Sequence, residues 1–243
     1  MGEPARPAAA GAQGVPAVVA GAAGQEGPVR QPLMSREYIL HKVRTALGRN
    51  AGQAAPAPPP VRIRIPDAAV EERIGQFCSA LEKLNGKPYR ASSMEDARAY
   101  AETLLAGRRA IASNAPFLAA CGITSLPGVA SGLTDRLALR EACIQYELGI
   151  TCADYALADT GTLVLFSSPE EARMISLLPP AHLAVVPRER LLTGLDELLS
   201  LLPVPSLRSS SMVFITGPSR TADIEQILVR GVHGPGEIHV VLV

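Results

Sequence analysis

A short loop in the last quarter of the chain carries residues suited to binding an anion. The loop follows an apolar stretch, residues 212–215, and contains Gly217, Ser219, Arg220 and Thr221. Such an apolar stretch is typical of an interior strand of a parallel sheet. An arginine can hold a carboxylate or a phosphate through two parallel hydrogen bonds. The loop is therefore a candidate ligand-binding segment.

The residues after this loop predict an amphipathic helix that is capped by the serine or the threonine of the loop and ended by Gly231. The apolar residues at helical spacing are Ile224, Ile227, Leu228 and Val232. Free amides and the helix dipole favour an anion at the start of a helix. Asp223 and Glu225 lie in the same first turn, where they can complement the dipole themselves or pair with the loop arginine.

A second turn, residues 158–162, carries polar side chains that can face this loop. It connects two strand candidates through very few residues, which indicates a hairpin or a sharp bend. Asp159 is a potential proton acceptor. The candidate site residues of this turn are Asp159, Thr160, Gly161 and Thr162. Since ligands in open α/β sheets bind beyond the carboxyl ends of the strands, we expect both turns to line one pocket at that edge.

The same residues also have an ordinary structural interpretation. Asp159 suits an Asx-type turn, and Ser219 and Thr221 suit helix caps without any ligand. The residues alone leave both interpretations open. His182 and His233 are predicted to be structural, with His233 at the edge opposite the loop. The charged stretch 188–190 is predicted to be a solvated face.

Composition excludes several classes of protein. The chain has 243 residues, of which 47% are hydrophobic, and equal numbers of basic and acidic residues, 23 each. It therefore has no global field to attract nucleic acid or an anionic membrane. None of the four cysteines forms a CxxC pair, which argues against zinc or an iron–sulfur cluster held by this chain. Their apolar surroundings indicate buried, reduced thiols in a cytoplasmic protein, and no apolar run is long enough to cross a membrane.

The chain is predicted to have three parts. Residues 1–33 form an Ala/Gly/Pro-rich tail that we expect to be disordered. Residues 34–60 form a short helix and a Pro-rich linker, and residues 61–243 form the main domain. Met34 is a plausible translation start, and we hypothesise that the tail before it belongs to an over-long gene model. N-terminal sequencing that finds native protein beginning at Met1 would contradict this hypothesis.

Strand and helix candidates alternate along the main domain. This alternation predicts an α/β fold with a mostly parallel sheet flanked by helices. The predicted helices are residues 67–84, 94–105, 115–121, 136–145, 169–177 and 191–202, and the further predicted strands are residues 108–113, 181–187 and 237–243.

Several motifs, taken in order, resemble the LUD-domain family and within it the lactate utilisation protein C group. They are Gly149-Ile-Thr, Ala158-Asp-Thr-Gly-Thr-Leu-Val, Ser176-Leu-Leu-Pro with His182-Leu and Val185-Val, Thr216-Gly-Pro-Ser-Arg-Thr-Ala-Asp-Ile-Glu, and Gly231-Val-His-Gly-Pro. The resemblance covers the main domain from Val61 onward, and the tail and the linker lie outside it.

The resemblance implies a fold similar to ribose-5-phosphate isomerases, CoA transferases and 5-formyltetrahydrofolate cyclo-ligases. It also implies a role, together with two partner proteins of which at least one carries iron–sulfur clusters, in oxidising L-lactate to pyruvate. Without paired cysteines, this chain fits the subunit that holds no cluster and no cofactor. The motifs assign no catalytic residue and no metal ligand. They mark a functional, ligand-binding surface, and its residues are Asp159, Thr160, Gly161, Thr162, Gly217, Ser219, Arg220, Thr221 and Asp223.

These observations favour a non-cluster subunit of a lactate-oxidising system that binds a small carboxylate or phosphate ligand. One alternative is a stand-alone isomerase, acyl transferase or ligase acting on a sugar phosphate or a CoA substrate. No lysine or glutamate stands beside the two turns as an obvious nucleophile for such an enzyme. A second alternative is an architectural subunit without a ligand site.

Overall fold

The computed structural model describes residues 36–50, 52–54, 56–57, 68–222 and 228–243. The chain divides into two units, Met1–Pro59 and Pro60–Val243. The described part of the first unit contains one helix, α1 (Arg36–Ala46), with no buried residue. The predicted tail, and the predicted helix start at Asp67, lie outside the described residues. The three-part division of the chain stays a prediction.

The second unit contains the remaining helices and the described strands. Its helices are α2 (Val70–Lys83), α3 (Met94–Leu105), α4 (Pro116–Ala120), α5 (Arg136–Gln145) and α6 (Leu195–Leu201). Its strands are β1 (Lys87–Arg90), β2 (Ala110–Ala112), β3 (Val129–Ala130), β4 (Leu148–Cys152), β5 (Tyr155–Leu157), β6 (Thr162–Phe166), β7 (Ala181–Val186), β8 (Leu191–Leu192), β9 (Met212–Ile215), β10 (Arg220–Ala222), β11 (Leu228–Arg230) and β12 (Glu237–Leu242).

A six-stranded sheet in the order β1-β12-β7-β4-β2-β3 forms the centre of this unit, and every neighbouring pair in it is parallel. Side chains alternate between its two faces. One face packs on α3 and α4 through an aliphatic cluster that includes Ala101, Leu118 and Val241. The other face packs on α2 and β6 through a cluster that includes Phe77 and Leu163. The predicted α/β class with a mostly parallel sheet is confirmed.

A second sheet has the order β8-β5-β6-β9. Strands β5 and β6 form the hairpin predicted around residues 158–161. The prediction that residues 212–215 form an interior strand of a parallel sheet is wrong: β9 is an edge strand and runs antiparallel to β6. Phe214 is 42% exposed. A short apolar run has the same pattern in an edge strand, so only its pairing partner decides the position.

The helix predicted after the loop is also wrong over the described residues. β10 and β11 pair as an antiparallel hairpin. The residues between them, 223–227, lie outside the described part, and with them Asp223, Ile224, Glu225 and Ile227. Short segments with β-branched residues fit two extended strands as well as one helical face, and backbone pairing between the strands selects the hairpin.

Two further helix predictions need correction. Only a 3₁₀ turn, Arg173–Ser176, forms within residues 169–177. Within residues 191–202, the first two residues form β8 beside β5, and α6 begins after Gly194. By contrast α3 begins as predicted, since the Ser93 hydroxyl accepts a hydrogen bond from the Asp96 amide at 3.2 Å. In the described part of the chain, no helix is both long enough and apolar enough to cross a bilayer.

Candidate functional site

The two predicted turns do meet in the fold. The hydroxyls of Thr162 and Thr216 lie 2.9 Å apart. Thr162 also donates to the Thr160 hydroxyl at 2.8 Å, and Thr160 donates to Oδ1 of Asp159 at 3.0 Å. A chain of hydroxyl groups therefore runs from the carboxylate of one turn to the start of the other.

Both turns pack against the end of α2. A Cβ atom placed on Gly161 would lie 2.6 Å from the backbone nitrogen of Leu81, and one placed on Gly217 would lie 2.8 Å from Cβ of Leu84. Both glycines have positive φ, at 65° and 77°, so glycine suits the conformation as well as the close approach. Because α2 leads directly into β1, the turns lie at the amino edge of the parallel sheet. The expected position at the carboxyl edge is wrong.

The polar groups of Ser219 and Arg220 form hydrogen bonds with the backbone of neighbouring segments. The Ser219 amide donates to Pro235 O at 2.8 Å, and its hydroxyl accepts from the His233 amide at 3.4 Å. The exposed Arg220 donates from Nη2 to Leu84 O, at the carboxyl end of α2. No helix begins at this loop within the described residues, so the dipole argument for an anion does not apply. The hairpin also returns His233 to the loop, so its predicted place at the opposite edge is wrong.

A different cavity lies where the central parallel strands end. It has a volume of about 400 Å³, within the range of about 300–1,000 Å³ that is usual for small-molecule pockets. We name it the carboxyl-edge pocket. Its lining residues are Ala115, Pro116, Phe117, Cys152, Asp154, Ser168, Glu170, Glu171 and Arg190. Cys152 is the last residue of β4, and Arg190 lies in the turn after β7. This is the edge at which open α/β sheets bind ligands.

Glu171 is the buried acid of this pocket, with 7% of its surface exposed. Its Oε2 accepts hydrogen bonds from the Ser113 hydroxyl at 2.7 Å and from the Cys152 amide at 3.1 Å. Its Oε1 is buried and has no hydrogen-bond partner among the described residues. Burial raises the pKa of Glu171 to about 8, although both hydrogen bonds oppose the shift. The carboxyl group is therefore mostly neutral at pH 7.

Arg190 is the cation of the pocket. It is half-buried, and within the described part of the chain its guanidinium has no hydrogen-bond or ion-pair partner. The other arginine nearby is already engaged, since Arg208 binds Oδ1 of Asp154 at 2.7 Å. Within the stretch 188–190, predicted to be a solvated face, Glu189 is exposed and Arg190 lines the pocket, whereas the part-buried Arg188 donates from Nη2 to Ala91 O at 2.7 Å and departs from that prediction. The pocket combines an available guanidinium with a neutral carboxyl, which suits a small monocarboxylate.

The cysteines are isolated thiols in the described part of the chain. All four are free and buried, as expected from their apolar surroundings. Burial raises the pKa of the Cys152 thiol to about 12, and the nearby Arg190 only partly opposes this. No three His, Cys, Asp or Glu side chains of the described residues converge on a point that could hold a metal ion.

Sequence reasoning missed Glu171 and Arg190 for a shared reason. Each lies in a charged stretch, Glu170-Glu171-Ala-Arg and Arg188-Glu189-Arg190, that has the composition of a solvated surface. No local pattern distinguishes the buried Glu171 from the exposed Glu170, or the half-buried Arg190 from the exposed Glu189. The available signal was topological, because both stretches follow predicted strands.

Comparison with known proteins agrees with the fold and its motifs. The model of the LUD domain family matches residues 74–243. A lactate utilization protein C from an Exiguobacterium species is 44% identical over 110 residues, which cover 44% of this chain and 48% of that protein. The lactate utilization protein C of Bacillus subtilis is 39% identical over 107 residues, covering 41% of this chain and 43% of that protein. The matched part thus spans less than half of the length of these relatives.

A solved structure shows the same fold. The crystal structure of a DUF162 family protein from Deinococcus radiodurans superposes with a TM-score of 0.56 at 17% identity, covering 72% of this chain and 98% of that one. At this identity the likeness concerns the fold alone. The family model, by contrast, matches well over half of the present sequence. The chain belongs to the LUD domain family.

Proposed function

We propose that this chain is a cytoplasmic component of a lactate utilisation system, namely the subunit without clusters that acts with iron–sulfur partner subunits in oxidising L-lactate to pyruvate. The relatives named lactate utilization protein C support this role. Because they are matched over less than half of their length, the activity and partners of the whole protein enter here only as a proposal.

The proposed ligand is a small carboxylate held in the carboxyl-edge pocket. The observation that carries this proposal is the guanidinium of Arg190, which lines the pocket and has no protein partner among the described residues. A planar guanidinium matches a carboxylate through paired hydrogen bonds. Lactate and pyruvate both carry one carboxylate and are small enough for the pocket.

Calorimetry with L-lactate, pyruvate and CoA tests this assignment. We expect Arg190→Ala to weaken binding of lactate or pyruvate about tenfold or more, the loss expected for a charge-assisted hydrogen bond. Arg140→Ala, at an exposed position of α5, is the matched control and should bind as wild type does. Equal binding by Arg190→Ala and wild type contradicts the proposed site.

The two predicted turns remain a second candidate site, with Asp159, Arg220 and their neighbours as its residues. The contact between Thr162 and Thr216 favours it, because it brings the turns together. The same calorimetry distinguishes the sites: a loss of binding in Arg220→Ala with full binding in Arg190→Ala selects the turns. Absence of binding by wild type favours an architectural subunit without a ligand site.

The partner proposal needs a separate measurement. Tagged chain isolated from lactate-grown cells should retain partner proteins that carry iron and acid-labile sulfide. Lactate oxidation should require those partners. Turnover of a sugar phosphate or a CoA ester by the purified chain alone would instead favour the stand-alone enzyme.

A further inference from the structure

The hydrogen bonding of Glu171 is one-sided. Both donors that reach the carboxyl, Ser113 and the Cys152 amide, bind Oε2, and Oε1 has none in the described part of the chain. A buried polar atom without a partner has lost its hydrogen bonds to water and gained none in return, which is unfavourable. A carboxyl group with a purely structural role normally has both oxygens satisfied. Glu171 therefore holds unused hydrogen-bonding capacity beside the pocket that it lines.

The surroundings of Glu171 favour a proton on this carboxyl. Ser113 reaches it from the end of β2 and Cys152 from β4. Asp154, after β4, contributes negative charge. Glu170 and Arg190 complete the charged lining, and Arg173 shares a small void with Glu171 on its other side. Burial and Asp154 raise the pKa of Glu171, and burial is the larger cause. Since Oε2 accepts two hydrogen bonds, the proton resides on Oε1.

A neutral carboxyl next to a guanidinium has a specific use. It does not repel a ligand carboxylate, and it can donate a hydrogen bond to a second ligand oxygen. Oε1 is shielded from solvent in this structure, so it reaches a ligand by a turn about the terminal torsion of the side chain, which is soft in glutamate. That turn weakens the hydrogen bonds from Ser113 and the Cys152 amide to Oε2, and the new bond to the ligand has to offset their loss. An ionised Glu171 would instead repel the same ligand and could donate nothing.

We infer that Glu171 is a specificity-determining residue of the carboxyl-edge pocket, which donates a hydrogen bond from Oε1 to the 2-hydroxyl or 2-oxo oxygen of a carboxylate held by Arg190. The ligand class is thus a short 2-hydroxy- or 2-oxocarboxylate, bound with retention of one proton on the protein. This inference rests on the carboxylate site of the proposed function and adds a second recognition point to it.

The test compares L-lactate with propionate, which lacks the second oxygen. Wild type should prefer lactate about tenfold, as expected for one hydrogen bond to a buried group. Glu171→Gln keeps a neutral donor and should retain the preference, whereas Glu171→Ala should lose it. Thermal melts establish that each variant is folded, and Glu171→Gln keeps the acceptor for Ser113 and the Cys152 amide.

The pH dependence is the second readout. Lactate binding by wild type should weaken about tenfold between pH 7 and pH 9, because the neutral fraction of a group with a pKa of about 8 falls by that factor. Glu171→Gln cannot ionise and should show a flat profile. A purely structural role for Glu171 would give wild type and Glu171→Gln the same profile.

The outcomes separate this inference from the proposed function. If wild type binds neither lactate nor pyruvate, the proposed carboxylate site and the role of Glu171 are both overturned. The same holds if Arg190→Ala binds these ligands as wild type does. If binding does depend on Arg190, the carboxylate site stands, and either of two results overturns the role of Glu171 alone. One is a wild-type profile that is flat from pH 7 to pH 9. The other is an unchanged preference for lactate over propionate in Glu171→Ala.

Discussion

The Ser113 hydroxyl donates to Oε2 of Glu171 at 2.7 Å, and this contact joins the end of β2 to the segment that follows β6. Both groups are buried, at 1% and 7% exposure. The bond holds Glu171 at the mouth of the parallel strands although its neighbour Glu170 is exposed. The position of the pocket acid thus depends on a hydroxyl far away in the sequence.

Replacing Ser113 with alanine should raise the pKa of Glu171 above its value of about 8, since the lost hydrogen bond favours the ionised form. The free energy of unfolding should fall by about 1 kcal/mol. Infrared titration of the carboxyl and urea unfolding measure the two effects. Ser125→Ala, at an exposed position, is the control and should change neither. A lowered pKa in Ser113→Ala would contradict the arrangement.

Gly149 should not tolerate a side chain. A Cβ atom there would lie 2.0 Å from Ile175 O, so the backbone after β6 would have to move. We expect Gly149→Ala to lower the free energy of unfolding by about 3 kcal/mol or more. Gly75→Ala, in α2, meets nothing nearer than 3.8 Å and should stabilise the protein by about 0.5–1 kcal/mol. Chemical denaturation measures the free energy of unfolding of both variants. Similar values for Gly149→Ala and Gly75→Ala would refute the close approach of Gly149 to Ile175 O.

Thr162 and Thr216 should be energetically coupled, because their hydroxyls lie 2.9 Å apart and join the two turns. In a double-mutant cycle of Thr162→Val and Thr216→Val, we expect a coupling of about 0.5–1.5 kcal/mol. Denaturant unfolding of the four proteins supplies the cycle. Strict additivity of the single effects would mean that the contact contributes nothing.

His182 should make the protein less stable in acid. It is fully buried, its Nε2 lies 2.7 Å from the Thr151 hydroxyl, and burial lowers its pKa to about 3. The unfolded chain, with a histidine pKa near 6.5, binds the proton more readily, so stability falls as the pH drops from about 6.5 toward 3, by up to about 1.4 kcal/mol per pH unit.

Urea unfolding between pH 4 and pH 8 measures this dependence. His182→Gln should reduce the slope below pH 6.5, and His41→Gln, at an exposed position of α1, should leave it unchanged. The residual slope in His182→Gln includes His239, whose pKa is also lowered, chiefly by burial. Equal slopes in wild type and His182→Gln would show that His182 is accessible to protons in the native state.

Local patterns determined much of the fold. The alternation of strand and helix candidates predicted the α/β class with a mostly parallel sheet. Ser93 marked the start of α3, and the short turn at Gly161 predicted the β5–β6 hairpin. These features depend on residues close in sequence, where capping, periodicity and turn geometry act directly. Short sequence motifs, such as residues 158–164 and 216–225, also indicated the LUD-domain family.

Tertiary pairing decided what those patterns left ambiguous. The apolar spacing after Arg220 fits a helix, but residues 220–222 pair with residues 228–230 as two antiparallel strands. The described residues therefore lack the helix start on which the anion argument depended. Glu171 and Arg190 have the local sequence of a surface, and only the convergence of β2, β4 and β7 brings them to one pocket. The physical reason is that burial, and with it the pKa of Glu171, depends on groups that are distant in the chain and adjacent only in the folded sheet.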